Sequence, residues 1–215
     1  MLCLSIETSC DETSLAILYN ANFEKCLKGK FVDYVNSFTV LGQIISSQID
    51  IHKEFGGVIP EIGAREHATQ IHFLFQKVLL DAQQKYKEIQ QKQENLKSEL
   101  EILNPNLKSK ITTGNYKNQL ENCDEENLEK TGSANLTENQ NYENCPNSFL
   151  SSTLLGKLDY IFVTTTPGLT SSLKVGIEFA KTLQFFIEQN YQKKVKIVPI
   201  NHLQGHLASS FWQSK

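Results

Sequence analysis

A single arginine, Arg65, stands among the 21 basic residues of this 215-residue chain. Its rigid guanidinium fork suits carboxylate or phosphate, although a codon bias toward lysine and asparagine explains the scarcity of arginine equally well. Net charge is −3, so the chain carries no global basic field for nucleic acid. Any nucleic-acid contact then needs a local patch or a partner subunit. The five cysteines are odd in number, widely spaced and contain no C-x-x-C pair. This excludes a disulfide framework and a cysteine zinc site, and it fits a reducing cytosol. No apolar run approaches the roughly 18 residues that a membrane span needs. The N-terminus lacks a basic stretch followed by an apolar one, so no secretory signal is expected. A cytoplasmic protein without membrane contact is the expectation.

Composition divides the chain into three parts. Residues 1–82 and 156–215 are patterned, and together they read as one discontinuous globular lobe. Residues 83–155 form a polar, low-complexity insert that holds 12 of the 17 asparagines, all between Asn95 and Asn147. Such a segment buries too little apolar surface to offset its ordering entropy. Its start is an exception: Tyr86, Ile89, Gln93, Leu96, Leu100 and Leu103 recur at spacings of three and four, which predicts a helix ended by Pro105. Disorder is expected beyond Asn106.

Within the patterned parts, apolar runs at 1–6 and 14–19 predict two strands joined at a polar turn. Residues 38–51 read as a third strand with an extension. Pro60 and Glu61 suit a helix start, and Ile62, Ala68, Ile71, Phe75, Val78, Leu79 and Ala82 form its predicted inward stripe. A strand at 158–163, a helix at 175–187 with Ile177, Ala180, Leu183, Phe186 and Ile187 inward, and a strand at 195–200 complete the pattern. Paired strands followed by alternating strands and helices predict an α/β fold with a mixed sheet.

Four clusters carry chemistry. His202-Leu-Gln-Gly-His206 places two imidazoles four residues apart, on one helix face, where both can point at one metal ion. Leu203 occupies the position at which zinc proteases carry their general-base Glu, so that hydrolytic mechanism is excluded. Two ligands leave a metal site incomplete. The turn Glu7 to Thr13 packs acids and hydroxyls between two strands. It reads either as a ligand-presenting turn or as an ordinary polar loop. Thr164-Thr-Thr166-Pro167-Gly168-Leu169 lies between a strand and a helix, suiting either an anion at the helix N-terminus or a structural Pro-Gly turn. In the fourth cluster, Glu61 and Arg65 stand in pairing register, while His67 and His72 read as surface or core histidines.

Taken together, Ile6 to Thr13, Ser46 to Asp50 with His52, Gly56 to Glu61, Arg65 to His67, Pro167 to Leu169 with Ser172, Leu173, Val175 and Gly176, Ala180 with Lys181, and Asn201 to His206 resemble the TsaD family. These are tRNA N6-adenosine threonylcarbamoyltransferases, once described as glycoproteases, and the motifs occur in family order. The resemblance implies the N-terminal lobe of an actin/Hsp70-like (ASKHA) two-lobed fold. It also implies an acyltransferase moving threonylcarbamoyl from its adenylate, made with ATP, to N6 of adenosine 37 in ANN-decoding tRNA. On this reading His202 and His206 bind one divalent metal, iron or zinc, and Asp11 and Glu12 act at the attacking amine. Thr166, Pro167 and Gly168 line the cofactor side, and the partners are tRNA, TsaB-like and TsaE-like proteins and the threonylcarbamoyl-adenylate synthase pathway. Departures from the family are Thr166 and Ser171 where many members have Gly, the long insert, and a later metal-ligating Asp that lies beyond His206. The chain is therefore expected to be an N-terminal portion, inactive by itself. The alternative is a catalytically inactive, TsaB-like scaffold partner.

Overall fold

The short apolar runs at 1–6 and 14–19 lie, in the computed structural model, in the antiparallel strands β1 (Leu2–Glu7) and β2 (Glu12–Tyr19), registered from Leu2↔Tyr19 to Glu7↔Ser14. The structure describes residues 1–21, 37–103 and 154–210. The expectations for disorder after Asn106 and for a helix stop at Pro105 fall outside them.

Strand β3 (Thr39–Ser47) adds antiparallel to β2. The predicted extension of this strand to residue 51 is corrected. Gln48 breaks from the sheet, its N–H donating to the Asp11 carbonyl at 2.8 Å, and the short helix α1 (Ile49–Lys53) follows. Helix α2 runs Pro60–Leu103, continuous through the predicted boundary near residue 83. A 3-10 turn (Leu155–Lys157) leads into β4 (Tyr160–Thr166), helix α3 (Thr170–Tyr191), β5 (Lys196–Asn201) and helix α4 (His202–Ser209). Strands β4 and β5 are parallel to β1, giving a five-stranded mixed sheet in the order β3-β2-β1-β4-β5. The expected mixed α/β fold is thus present. Pro199 lies in β5, an outermost strand of this sheet, where a missing N–H is tolerated.

Contacts group the described residues into two units: residues up to Gln84 with 154–210, and Lys85 to Leu103. The first holds the sheet, whose core is Leu4, Ile6, Leu15, Ile17, Ile161 and Val163 with Ile71, Phe75, Val78 and Leu79 from α2 and Ala180, Leu183 and Ile187 from α3.

Two helix faces differ from the predicted stripes. On α2 the first buried positions are Gly63 and His67, whereas Ala68 is exposed and Ile62 half-buried. The inward face starts polar because it meets a polar turn, and turns apolar only from Ile71. On α3, Gly176 is buried beside Thr8, and a Cβ there would lie 2.6 Å from Thr8 Oγ1. A small residue is what allows this helix to approach β1; Phe186, predicted inward, is half-buried.

Candidate functional site

Strands β1, β4 and β5 are parallel and adjacent, so their C-terminal ends open on one edge of the sheet, the edge at which α/β folds place ligands. Glu7, Thr164–Thr166 and Asn201–His202 are those ends. Asn201 starts α4 by accepting the Leu203 and Gln204 N–H groups on its side-chain oxygen, at 3.0 and 3.2 Å. This cap fixes where His202 leaves the strand.

His202 and His206 share a face as predicted, with their Nε2 atoms 3.0 Å apart and their rings edge to face. Two imidazole nitrogens each about 2.0–2.1 Å from one ion lie about 2.9–3.4 Å apart at octahedral to tetrahedral angles, so the pair fits a shared metal. Among the described residues no third His, Cys, Asp or Glu joins them in a metal-holding group. On the other side of the His202 ring, Nδ1 lies 3.1 Å from Glu7 Oε2 and 3.1 Å from Ser9 Oγ. Glu7 also accepts from the Ser9 N–H at 2.6 Å and from the Thr164 hydroxyl at 2.5 Å. Burial would push the Glu7 carboxyl up, but hydrogen bonds from Ser9, Thr164 and His202 outweigh it and hold the pKa below the ordinary value. A Glu7 carboxylate only accepts, so its hydrogen bond with His202 needs a proton on Nδ1.

The turn bearing Asp11 and Glu12 is held by its backbone. Three successive carbonyls accept from three different segments: Ser9 from the Leu169 N–H at 2.8 Å, Cys10 from His67 Nε2 at 3.1 Å, and Asp11 from the Gln48 N–H at 2.8 Å. With the carbonyls satisfied inward, Cys10 and Glu12 are exposed and Asp11 half-buried. Burial and the adjacent Asp11 raise the Cys10 thiol, which keeps it protonated and a poor nucleophile.

His67, fully buried, is the centre of this clamp. Its Nδ1 accepts from the Thr13 hydroxyl at 2.7 Å and from Gln48 Nε2 at 3.2 Å. His52 in turn donates from Nε2 to Gln48 Oε1 at 3.1 Å, and its Nδ1 accepts the Ile59 N–H at 3.4 Å. Gly63 lets α2 pass this network, since a Cβ there would sit 3.3 Å from Gln48 Oε1. His67 is thus a core residue, and burial lowers its pKa. His72 is exposed.

Thr166, Pro167 and Gly168 are exposed at the end of β4, with a cis Thr166–Pro167 bond. Gly168 lies against the first turn so closely that a Cβ would fall 2.7 Å from Ser9 Cβ. The Ser171 hydroxyl donates to the Pro60 carbonyl at 3.2 Å, tying the start of α3 to the start of α2. Glu61 and Arg65 form the expected exposed pair, 3.6 Å apart.

The structure brings together His202, His206 and the 166–168 turn around Ser9. Glu7 and Thr164, from two clusters that sequence kept separate, meet at His202, and that meeting had no local signal because Glu7 lies 195 residues from its imidazole partner. Asp11 and Glu12 are on the same turn as Ser9, but neither side chain is hydrogen-bonded to the histidine pair.

A family model described as "TsaD: tRNA N6-adenosine threonylcarbamoyltransferase" matches residues 39–91 and 150–215, just over half of the chain, and passes over the polar segment between them. Relatives carrying that name include proteins from Fusobacterium nucleatum subsp. nucleatum, 29% identical over 98% of this chain, and Clostridium kluyveri, 27% identical over 99%. A third, from Thermosipho melanesiensis, is 28% identical over 98%. The aligned parts are 35%, 36% and 37% of those proteins, so the chain spans about a third of the length of the curated relatives it matches.

Proposed function

The chain belongs to the TsaD family of tRNA N6-adenosine threonylcarbamoyltransferases, and from that premise we propose that it carries the histidine half of a metal-dependent acyl-transfer site with an ASKHA-type lobe. The observation carrying this reading is the convergence of His202 and His206 Nε2 at 3.0 Å, with His202 held from behind by Glu7. A neutral imidazole backed by a carboxylate is the usual arrangement of a metal-ligating histidine. Imidazole with carboxylate completion suits iron or zinc, and the family resemblance puts the completing aspartate beyond His206.

The proposed reaction joins N6 of adenosine 37 in ANN-decoding tRNA to the carbamoyl carbon of threonylcarbamoyl-adenylate. The N6–C bond forms, the C–O bond to the adenylate phosphate breaks, AMP leaves, and N6 loses a proton. A metal held by His202 and His206 supplies Lewis-acid polarisation of the donor. Asp11 and Glu12, presented outward by the clamped turn, orient the amine and take up its proton. The helix α3 N-terminus behind Thr166, Pro167 and Gly168 favours the anionic adenylate. TsaB-like and TsaE-like proteins and the enzyme that makes the adenylate are its proposed partners, in the cytoplasm. No helix among the described residues is long and apolar enough to cross a membrane.

The test is formation of threonylcarbamoyladenosine by the full-length protein with partners, tRNA, threonine, bicarbonate and ATP. Product is expected from wild type and none from a His202→Ala/His206→Ala variant. Equal product from both sinks the metal role. No product together with no metal bound points to a TsaB-like scaffold.

A further inference from the structure

We propose that Glu7 is a positioning residue that sets the tautomer of His202, so that the Nε2 lone pair faces the metal. The inference rests on the metal reading above but reaches a residue that does not touch the ion. The network around Glu7 has one member that cannot change role. The Ser9 backbone N–H, 2.6 Å from Oε1, is always a donor, so the oxygen facing it must accept. The other oxygen faces two adaptable groups: the Thr164 hydroxyl, which can rotate, and His202 Nδ1, which can hold or release its proton. As long as that oxygen belongs to a carboxylate it accepts only, and the imidazole proton stays on Nδ1. The second site, Nε2, is then left with its lone pair, directed at His206 Nε2 3.0 Å away.

An isosteric Glu7→Gln change inverts this logic without changing volume. Ser9 N–H holds the new amide carbonyl, which turns the amide NH2 toward Thr164 and His202. Thr164 rotates to accept. His202 Nδ1 accepts only after its proton moves to Nε2, where it blocks the metal. Ser9 Oγ, 3.1 Å from Nδ1, is compatible with either state and does not oppose the switch.

The test is long-range 1H–15N correlation of the His202 side chain in the full-length, metal-free protein at neutral to mildly alkaline pH, followed by titration with Zn2+ alone. Wild type is expected as the Nδ1–H tautomer and Glu7→Gln as Nε2–H, with Zn2+ affinity about 10–100-fold weaker in the variant. An Nε2–H tautomer in wild type overturns the proposal whether or not the variant folds. So does a folded variant with unchanged tautomer and affinity. A tautomer switch in a protein that binds no Zn2+ even as wild type supports the Glu7 lock and refutes the metal reading instead.

Discussion

His52 and His67 place all four of their ring nitrogens on protein partners, whereas His202 and His206 turn two of theirs toward each other across 3.0 Å. The first pair is buried; the second stands half-buried and exposed. An imidazole whose nitrogens are both spent on backbone and amide groups is structural, and its loss strands buried donors and acceptors. An imidazole fixed on one nitrogen and open on the other is arranged for something outside the fold. The same residue type thus serves opposite ends within one unit. The difference lies in what satisfies each ring, not in spacing along the chain.

Substitutions separate the two pairs. The largest effect falls on binding: His206→Ala is expected to lower metal affinity by about 100-fold or more, while its exposed position keeps the melting temperature near wild type. Calorimetric titration and thermal denaturation on one sample check both. His67→Ala should do the reverse, costing about 2–4 kcal/mol by stranding the Cys10 carbonyl, Thr13 and Gln48. Metal affinity should stay within about threefold. A folded His67→Ala protein that loses metal while keeping its stability would break the distinction.

Gly176→Ala tests the close approach of α3 to β1. Its Cβ would meet Thr8 Oγ1 at 2.6 Å, and a loss of about 1–3 kcal/mol is expected in denaturant unfolding. The pH dependence of stability carries the mark of His67. Burial lowers its folded pKa below the unfolded value near 6.5, so the unfolded chain takes up the proton more readily. His67 therefore opposes folding increasingly as pH falls below about 6.5, until its folded pKa is passed, and has no effect above that window. Replacing it by Asn should flatten the acid limb of the stability curve. The smallest effect is expected at Arg65: its pair with Glu61 is exposed on both sides, and Arg65→Ala should change stability by less than about 0.5 kcal/mol.

Much of this was legible in sequence. The apolar runs at 1–6 and 14–19 and the strand–helix–strand run from Tyr160 to Asn201 gave the sheet, because short apolar runs bounded by polar turns mark buried strands. The i,i+4 spacing of His202 and His206 gave their shared face. The inward face of α2 at Gly63 and His67 was misread, since a hydropathy stripe favours Ile62 and Ala68 and is blind to a histidine satisfied by hydrogen bonds. The end of β3 at Ser47 was hidden for a similar reason: Gln48 leaves the sheet for partners on another turn. Glu7 could not be placed because nothing local records that β1 and β5 end at one edge. The order of the motifs carried the family reading, and the comparisons bear it out.

His202 and His206 are proposed to hold a metal that His52 and His67 do not. Zn2+ titration of the full-length protein addresses this proposal, comparing wild type, His202→Ala/His206→Ala and His67→Asn. One ion per chain is expected in wild type and in His67→Asn, and none in the double variant. Full binding by the double variant, or none by wild type, would contradict it.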